Sequence, residues 1–510
     1  MYENLYNQKG MLAQLYSKYN GEKASLLTDA EEYAGWTLPH IFPKSTSNAR
    51  EEMQHDFQSI GARATNHLAN KLTLALFAPS RPFFKLEATK AYSAKLQEKD
   101  NVDPATQLAV FSEAEREAMK EMLARGVRVT MPLAMKLLIV TGNALKYFPT
   151  GGGKAQTYNL RDYCVKRDLS GNPLDMITQD HKAMASLPED MQAALRKEDA
   201  QLEDDTDVVL YTRIRLHEGR YHVYQALNEI PFGDSLGAYT PKLCPWIPMT
   251  WNLVRGQDYG SGLVEEYAGD FHAISSLSEA MVIGSAIAAD IKFLVDPTGS
   301  TDYRALNEAP SGAYVPGKID DIQTLTTDKT KDWNMVLQII QTYEKRIGMA
   351  FLLGSAITRD AERVTAEEIR FQAMELETSL GGVYSRLAED IQQPMAFIFL
   401  KDAKFDLGEG KDVKPMIITG LDALSRNSEA EALILFIQDL NMVGQLDDQV
   451  KMRLNLNYVM ATFGAARGVD FTKAIRPEEE VIADMQKQQE AQVAQQQAID
   501  SNKAAAQKGV

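Results

Sequence analysis

Apolar residues along this chain take helical spacing in the first third, strand alternation in the middle, and helical spacing again beyond it. Ile60, Ala64, Leu68, Leu72 and Leu76 recur every fourth residue and Pro79 closes the run, which predicts a helix over 60–77. Met131 to Tyr147 is apolar nearly all round and predicts a second, buried helix. Tyr158 to Gln179 and Val208 to Leu227 then alternate as two hairpins. Their turns are expected at Ser170-Gly171-Asn172-Pro173 and at Glu218-Gly219. In the second hairpin Leu210, Ile214 and Leu216 are answered by Tyr221, Val223 and Leu227. The charged stretch from Leu187 to Asp207 predicts a short exposed helix and a loop.

From Gly262 to Asp290 the period is helical again, with Val264, Tyr267, Phe271, Ile274, Leu277 and Met281 on one face. Unbroken, this helix would be roughly 40 Å long. Its second half is rich in small residues (Gly284, Ser285, Ala286, Ala288, Ala289). Residues 291–330 carry Pro297, Gly299, Pro310, Gly312, Pro316 and Gly317 and predict short strands and turns. Trp333 to Ile347 is helical, with Trp333, Leu337, Ile340 and Ile347 on one side. The predicted path is a helix outward, a compact β-rich tip, and a helix back.

The stretch 352–400 is a polar loop followed by a long helix. Thr365 and Glu368 form a capping box at its start. Ile369, Ala373, Leu376, Leu380, Val383 and Leu387 then make a seam of period near 3.5. Gly381 and Gly382 interrupt it; each glycine costs about 1 kcal/mol in a helix interior, so the pair predicts a bend. The loop carries Arg359 and Arg363. A further helical region is expected from about Ser428 to Phe463. Asp484 to Gly509, rich in Gln and Ala, suits an exposed helix or a frayed tail. The fold class is mainly α with β-rich insertions, α+β.

With 510 residues, 45% of them hydrophobic, the chain can bury a large core. Its longest apolar run contains Lys136 and is too short to span a bilayer. The start, MYENLYNQKG, lacks the basic-then-apolar order of a signal peptide. Two cysteines, Cys164 and Cys244, make no disulfide framework, so a reducing cytoplasm is the default. A net charge of −16 argues against a protein that wraps nucleic acid, though not against one that lets DNA pass without gripping it.

Enzyme chemistry finds little support. Gly151-Gly152-Gly153-Lys154 lacks the first glycine of a phosphate loop, where Phe148 stands, and the hydroxyl after the lysine, where Ala155 stands. It predicts a surface turn. The seven histidines are scattered and no cysteine pair has zinc spacing, so no metal site, cofactor or catalytic residue is expected. His217 and His222 could meet across a hairpin, but two ligands do not make a site. Arg359 and Arg363 are either ordinary loop charges or, if many copies surround an axis, an arginine ring acting on a passing phosphodiester backbone. The helix 262–290 carries Glu265, Glu266, Asp270, Glu279 and Asp290 and no lysine or arginine. It is a solvated face in one copy, and in a ring it could be a wall that repels DNA.

GARATNHLANKLTLALFAP at 61–79, YGSGLVEEYAGD at 259–270 and RVTAEEIRFQAMELETSLGGVYSRLAEDIQQP at 363–394 together resemble the head-to-tail connectors, or portal proteins, of short-tailed bacteriophages. WTLPHIFP at 36–43 and CPWIPM at 244–249 fit the same family. The resemblance implies a ring of twelve copies at one capsid vertex. It implies a wing (1–260), an outgoing stem helix (261–290), a clip (291–330), a returning stem helix (331–351), a tunnel loop (352–364), a long kinked helix (365–400) and a crown (401–483). Residues 484–510 would be a barrel helix or a disordered tail. It also implies that Arg359 stands at the constriction with Arg363 near it, that Glu265, Glu266 and Asp270 are candidates for an acidic channel wall, and that Gly381 and Gly382 kink the helix. The implied partners are double-stranded viral DNA, a terminase packaging motor, major capsid and scaffolding proteins, a tail adaptor and internal core proteins. The implied location is the virion, with the host cytoplasm during assembly. The competing expectation is a coiled-coil scaffold with no channel.

Overall fold

A computed structural model of the chain describes residues 9–44, 56–77, 82–89, 92, 104–198, 203–232, 237–289, 292–325, 330–354, 375–380, 382–405, 407 and 412–417. Arg359, Arg363, Gly381, the capping box at Thr365 and Glu368, and the expected helices beyond residue 417 lie outside these residues. The chain divides into two units. One combines Met1–Ala78 with Leu123–Pro394, the other Pro79–Met122 with Met395–Val510.

The first unit opens with α1 (Met11–Glu22) and α2 (Ala24–Trp36), followed by α3 (Ile60–Leu76). The fourfold spacing of α3 buries Ala64, Leu68, Leu72 and Leu76 completely or nearly so. In the second unit β1 (Phe84–Ala88) pairs antiparallel with a strand more than 300 residues later, described below. There α4 (Pro104–Ala124) places Glu115 so that its carboxylate accepts the Leu86 N–H at 2.6 Å.

Back in the first unit, α5 (Val127–Thr141) is shorter than its apolar pattern predicts. Gly142, at φ 74, ends it, and Asn143–Tyr147 continue as strand β2. The apolar run continues because β2 is buried too, and burial on all sides erases the difference between the two periods. β2 lies between β3 (Gln156–Tyr158) and β10 (Trp246–Thr250). Tyr147 stacks on Trp246 with ring centroids 4.5 Å apart.

The second sheet contains β4 (Tyr163–Arg167), β5 (Pro173–Ala183), β6 (Asp207–His217), β7 (Arg220–Leu227) and β8 (Ile230–Phe232), in that order, with β9 (Ala238–Tyr239) on β7. The predicted hairpins are β4–β5 and β6–β7, although Tyr158 belongs to the other sheet. Leu210 faces Leu227, Ile214 faces Val223 and Leu216 faces Tyr221, as the alternation requires. Glu218 and Gly219 both take positive φ (47 and 76), the two-residue turn that matches strand twist. The guanidinium of Arg213 grips the buried Asp175 carboxylate through Nε at 2.9 Å and through Nη2. The exposed helix expected after Leu187 is α6 (Glu189–Glu198).

The outgoing helix is not continuous. Leu263–Glu266 form a single turn, α7; Tyr267 breaks the path, and α8 (Ala268–Ala289) follows. At its far end β11 (Lys292–Val295) pairs antiparallel with β12 (Ile322–Leu325), with α9 (Tyr303–Glu308) between them. Asp302 caps α9 by accepting from the Arg304 and Ala305 N–H groups. The chain returns along α10 (Thr330–Ala350).

Residues 375–380 are helical, Gly382 takes a left-handed conformation (φ 84), and α11 (Val383–Leu387) restarts the helix. A π-helical turn, Ala388–Gln392, leads into α12 (Gln393–Asp402). From Met395 the chain belongs to the second unit, where Phe405 packs edge-on against Phe111 and β13 (Val413–Ile417) pairs with β1. Residues 79–122, inside the span expected to be wing, therefore share a unit with the residues after 395.

Candidate functional site

The outgoing helix begins where backbone meets backbone. A Cβ on Gly142 would lie 2.4 Å from the Ser261 carbonyl carbon, and one on Gly262 would lie 2.8 Å from Gly142 N. No side chain fits between these segments. Asn143 closes the junction, donating to the Gly260 carbonyl at 2.7 Å and accepting the Gly260 N–H at 2.8 Å. The glycines of YGSGLVEEYAGD are thus the condition for α7 to leave the end of α5 at this point.

Glu265 and Glu266 follow at once, both exposed. Partial burial raises the pKa of each, and the charge of Asp29 adds to the effect at Glu265. Asp270 lies one turn on, 3.9 Å from Nη1 of Arg346 on α10. That separation and the exposure of Arg346 make a weak ion pair, but α10 still offsets part of the Asp270 charge. The three carboxylates therefore do not form a bare acidic strip.

The paired helices α8 and α10 change character along their length. Near the root, Phe271 and Ile274 are fully buried. Phe271 lies parallel to Trp36 at 6.5 Å and edge-on to Phe351 at 5.8 Å. Farther out the pair is held by Trp333, which occupies the space a Cβ on Gly284 would need, 1.9 Å from its ring carbon Cη2. The small residues of α8 allow this close approach. On either side of the contact, Val282, Ile283 and Ile287 on α8 are 49–67% exposed. On α10, Ile340 and Ile347 are buried, whereas Leu337, expected on the same side, is 44% exposed alongside Met335 and Ile339. In the tip, Phe293 and Leu294 are exposed, and Tyr314 and Ile319 are almost wholly so. The tip is kept in shape by polar contacts: the Asp321 carboxylate accepts the Ser300 and Thr301 N–H groups and the Thr301 hydroxyl.

Of residues 361–474, the described ones lie between 375 and 417. Lys71 of α3, almost completely buried, pairs with Glu375 at 2.6 Å. No local pattern pointed to this pair, because its members stand 304 residues apart.

The sequence belongs with known proteins over nearly its whole length. Residues 9–474 match the family described as bacteriophage head to tail connecting protein. The chain belongs to that family. The portal protein of Escherichia phage T7 is 35% identical, over 97% of this chain and 93% of that protein. The portal protein of Enterobacteria phage T3 is 37% identical, over 82% and 79%. Among solved structures, a chain from the neck of an empty GTA particle aligns with a TM-score of 0.35 and 12% identity, covering 73% of this chain and 84% of that one.

Gly151 to Lys154 form an exposed turn with both Gly151 and Gly152 at positive φ (97 and 98). Cys164 and Cys244 are free, buried thiols, and burial pushes Cys244 up to about 12. The rings of His217 and His222 lie 6.1 Å apart, and among the described residues no group of three metal-binding side chains exists. No described helix is long and apolar enough to cross a membrane.

Proposed function

We propose that copies of this chain close into a ring of twelve that forms the DNA channel at one vertex of a phage capsid, serving as a conduit rather than an enzyme. The observation that carries this is the apolar band left open on the stem and tip of a single copy. Among the described residues, Val282, Ile283 and Ile287 on one helix and Met335, Leu337 and Ile339 on the other remain 39–67% exposed. An exposed apolar patch of this extent on a folded chain is an interaction surface. A neighbouring copy would present the same band, and repetition of one such contact about an axis closes a ring. The relatives named portal proteins support the same reading, since this chain matches the T7 protein over nearly its full length.

In this arrangement residues 1–260 serve as wing, 261–290 and 331–351 as stem, 291–330 as clip, 352–364 as tunnel loop, 365–400 as kinked helix and 401–483 as crown. Arg359 and Arg363 face DNA, and Glu265, Glu266 and Asp270 line or border the channel wall. The clip meets the terminase motor and later the tail adaptor. The wing meets coat and scaffolding proteins, and the crown side meets internal core proteins. The ring starts capsid assembly, passes the genome inward, retains it and releases it.

Electron microscopy of the purified chain tests the ring: closed annuli with an axial hole are expected, and rods, dimers or monomers would refute it. Arg359→Ala tests the DNA contact. Rings should form normally while packaging or retention of DNA changes. Loss of rings without any DNA-specific effect would make Arg359 a structural residue.

A further inference from the structure

We propose that the six-stranded sheet docks head to tail between neighbouring copies, the basic end of its β6–β7 hairpin on one copy receiving the acidic start of β6 on the next. The proposal rests on the ring reading above and adds to it a second contact, made of charge rather than apolar surface.

β6 carries opposite charge at its two ends. Residues two apart on a strand share a face with their cross-strand partners. Arg215 and His217 on β6 therefore share one with His222 and Arg220 on β7, which stand opposite them. His217 and Arg220 are exposed, Arg215 and His222 half-buried, and the two imidazole rings lie 6.1 Å apart. Across the hairpin each arginine meets a histidine, where an acid would stabilise the pair by itself. Asp175, beside Arg215 on β5, is already gripped by Arg213. Glu218 in the turn offsets part of the positive charge.

At the other end Glu203, Asp204, Asp205 and Asp207 are all exposed. Arg196 on α6 donates to Asp204 at 2.9 Å, and Nδ1 of His181 lies 3.1 Å from Asp207. These are open, weak pairs and offset only part of the four carboxylates. β6 has 11 residues, so its ends stand about 35 Å apart. Salt screens charges beyond about 10 Å, so the two ends cannot neutralise each other within one copy.

One rigid strand with opposite signs at its ends fits a second copy in only one sense. Like ends repel and unlike ends attract, so the contact is head to tail, and repetition of such a contact about an axis closes a ring. Duplex DNA is a poorer occupant of the basic end. A chain of net charge −16 repels a polyanion, and two arginines neutralise few phosphates.

Mixing of charge-reversed full-length chains tests the contact, with ring yield read by electron microscopy and sedimentation at low salt. Arg215→Glu with Arg220→Glu reverses the basic end; Asp204→Lys with Asp205→Lys reverses the acidic end. Each variant alone should need about tenfold more protein than wild type to form rings. An equimolar mixture of the two should recover the wild-type yield, because alternating copies restore an attractive pair at every junction. Arg215→Gln with Arg220→Gln repeats the first arm if the reversal unfolds the hairpin. Variants that assemble singly like wild type overturn the proposal, and so does a mixture that assembles no better than its components. Normal rings from the arginine variants with weakened binding of a duplex oligonucleotide would overturn it in favour of a DNA surface. If wild type itself forms no rings, the ring reading fails instead.

Discussion

Lys146 offers a sharp physical test because, among the described residues, no charged group answers its charge. It lies in β2, fully buried, and its ammonium donates to the hydroxyls of Thr130 at 2.6 Å and Thr157 at 2.8 Å, both neutral acceptors. Burial lowers its pKa from 10.5 to about 7. Between those values the unfolded chain holds a proton that the folded chain has released. Stability therefore rises with pH across that window, by about 1.4 kcal/mol per pH unit from this group. From pH 7 to 9 the contribution is on the order of 2–3 kcal/mol. Below pH 7 both states are protonated and the slope from this residue vanishes. Lys146→Met keeps the length of the side chain and removes the titration, so the variant should lack this rise. Urea unfolding of wild type and variant at pH 6, 7, 8 and 9, followed by fluorescence of Trp246 in the same sheet, measures the difference directly. The variant should be more stable than wild type near pH 6, and the gap should close as pH increases. A gap that stays constant from pH 6 to 9 would refute the argument, because it would mean that Lys146 keeps its proton in the folded chain.

Glu115 should behave in the opposite sense: burial raises its pKa to about 7, so wild type loses stability relative to Glu115→Gln as pH rises from about 4.5 to 7, measurable as a diverging urea midpoint. Asp175→Ala leaves the buried Arg213 guanidinium without its carboxylate and should cost about 3–5 kcal/mol in thermal or urea unfolding. Gly284→Ala sets a methyl against the Trp333 ring and should cost about 1–3 kcal/mol and splay the stem, read as altered ring yield by electron microscopy; normal yield and unchanged unfolding would show that Trp333 yields freely.

The alternation of residues 207–227 was enough to set strand, turn and register, because period-two patterning and a Glu-Gly turn act within a few residues of each other. The path of helix, strand-paired tip and returning helix was equally legible, since helical spacing interrupted by proline and glycine is a local signal. The exposed turn at Gly151–Lys154 was legible too, since successive glycines favour a surface reversal. Local signals failed where two periods became indistinguishable, as at Asn143–Tyr147, which is buried like the helix before it. They failed again at Tyr267, where the apolar face runs on through a break in the backbone. Neither Lys71 with Glu375 nor β1 with β13 could be read at all, because sequence carries no record of which distant residues meet. The burial of an ammonium or a carboxyl, and with it the shift of Lys146 and Glu115, is a property of the packed interior alone. The pattern of side chains determined which elements form; only their packing decided which charges are stripped of water and which distant residues meet.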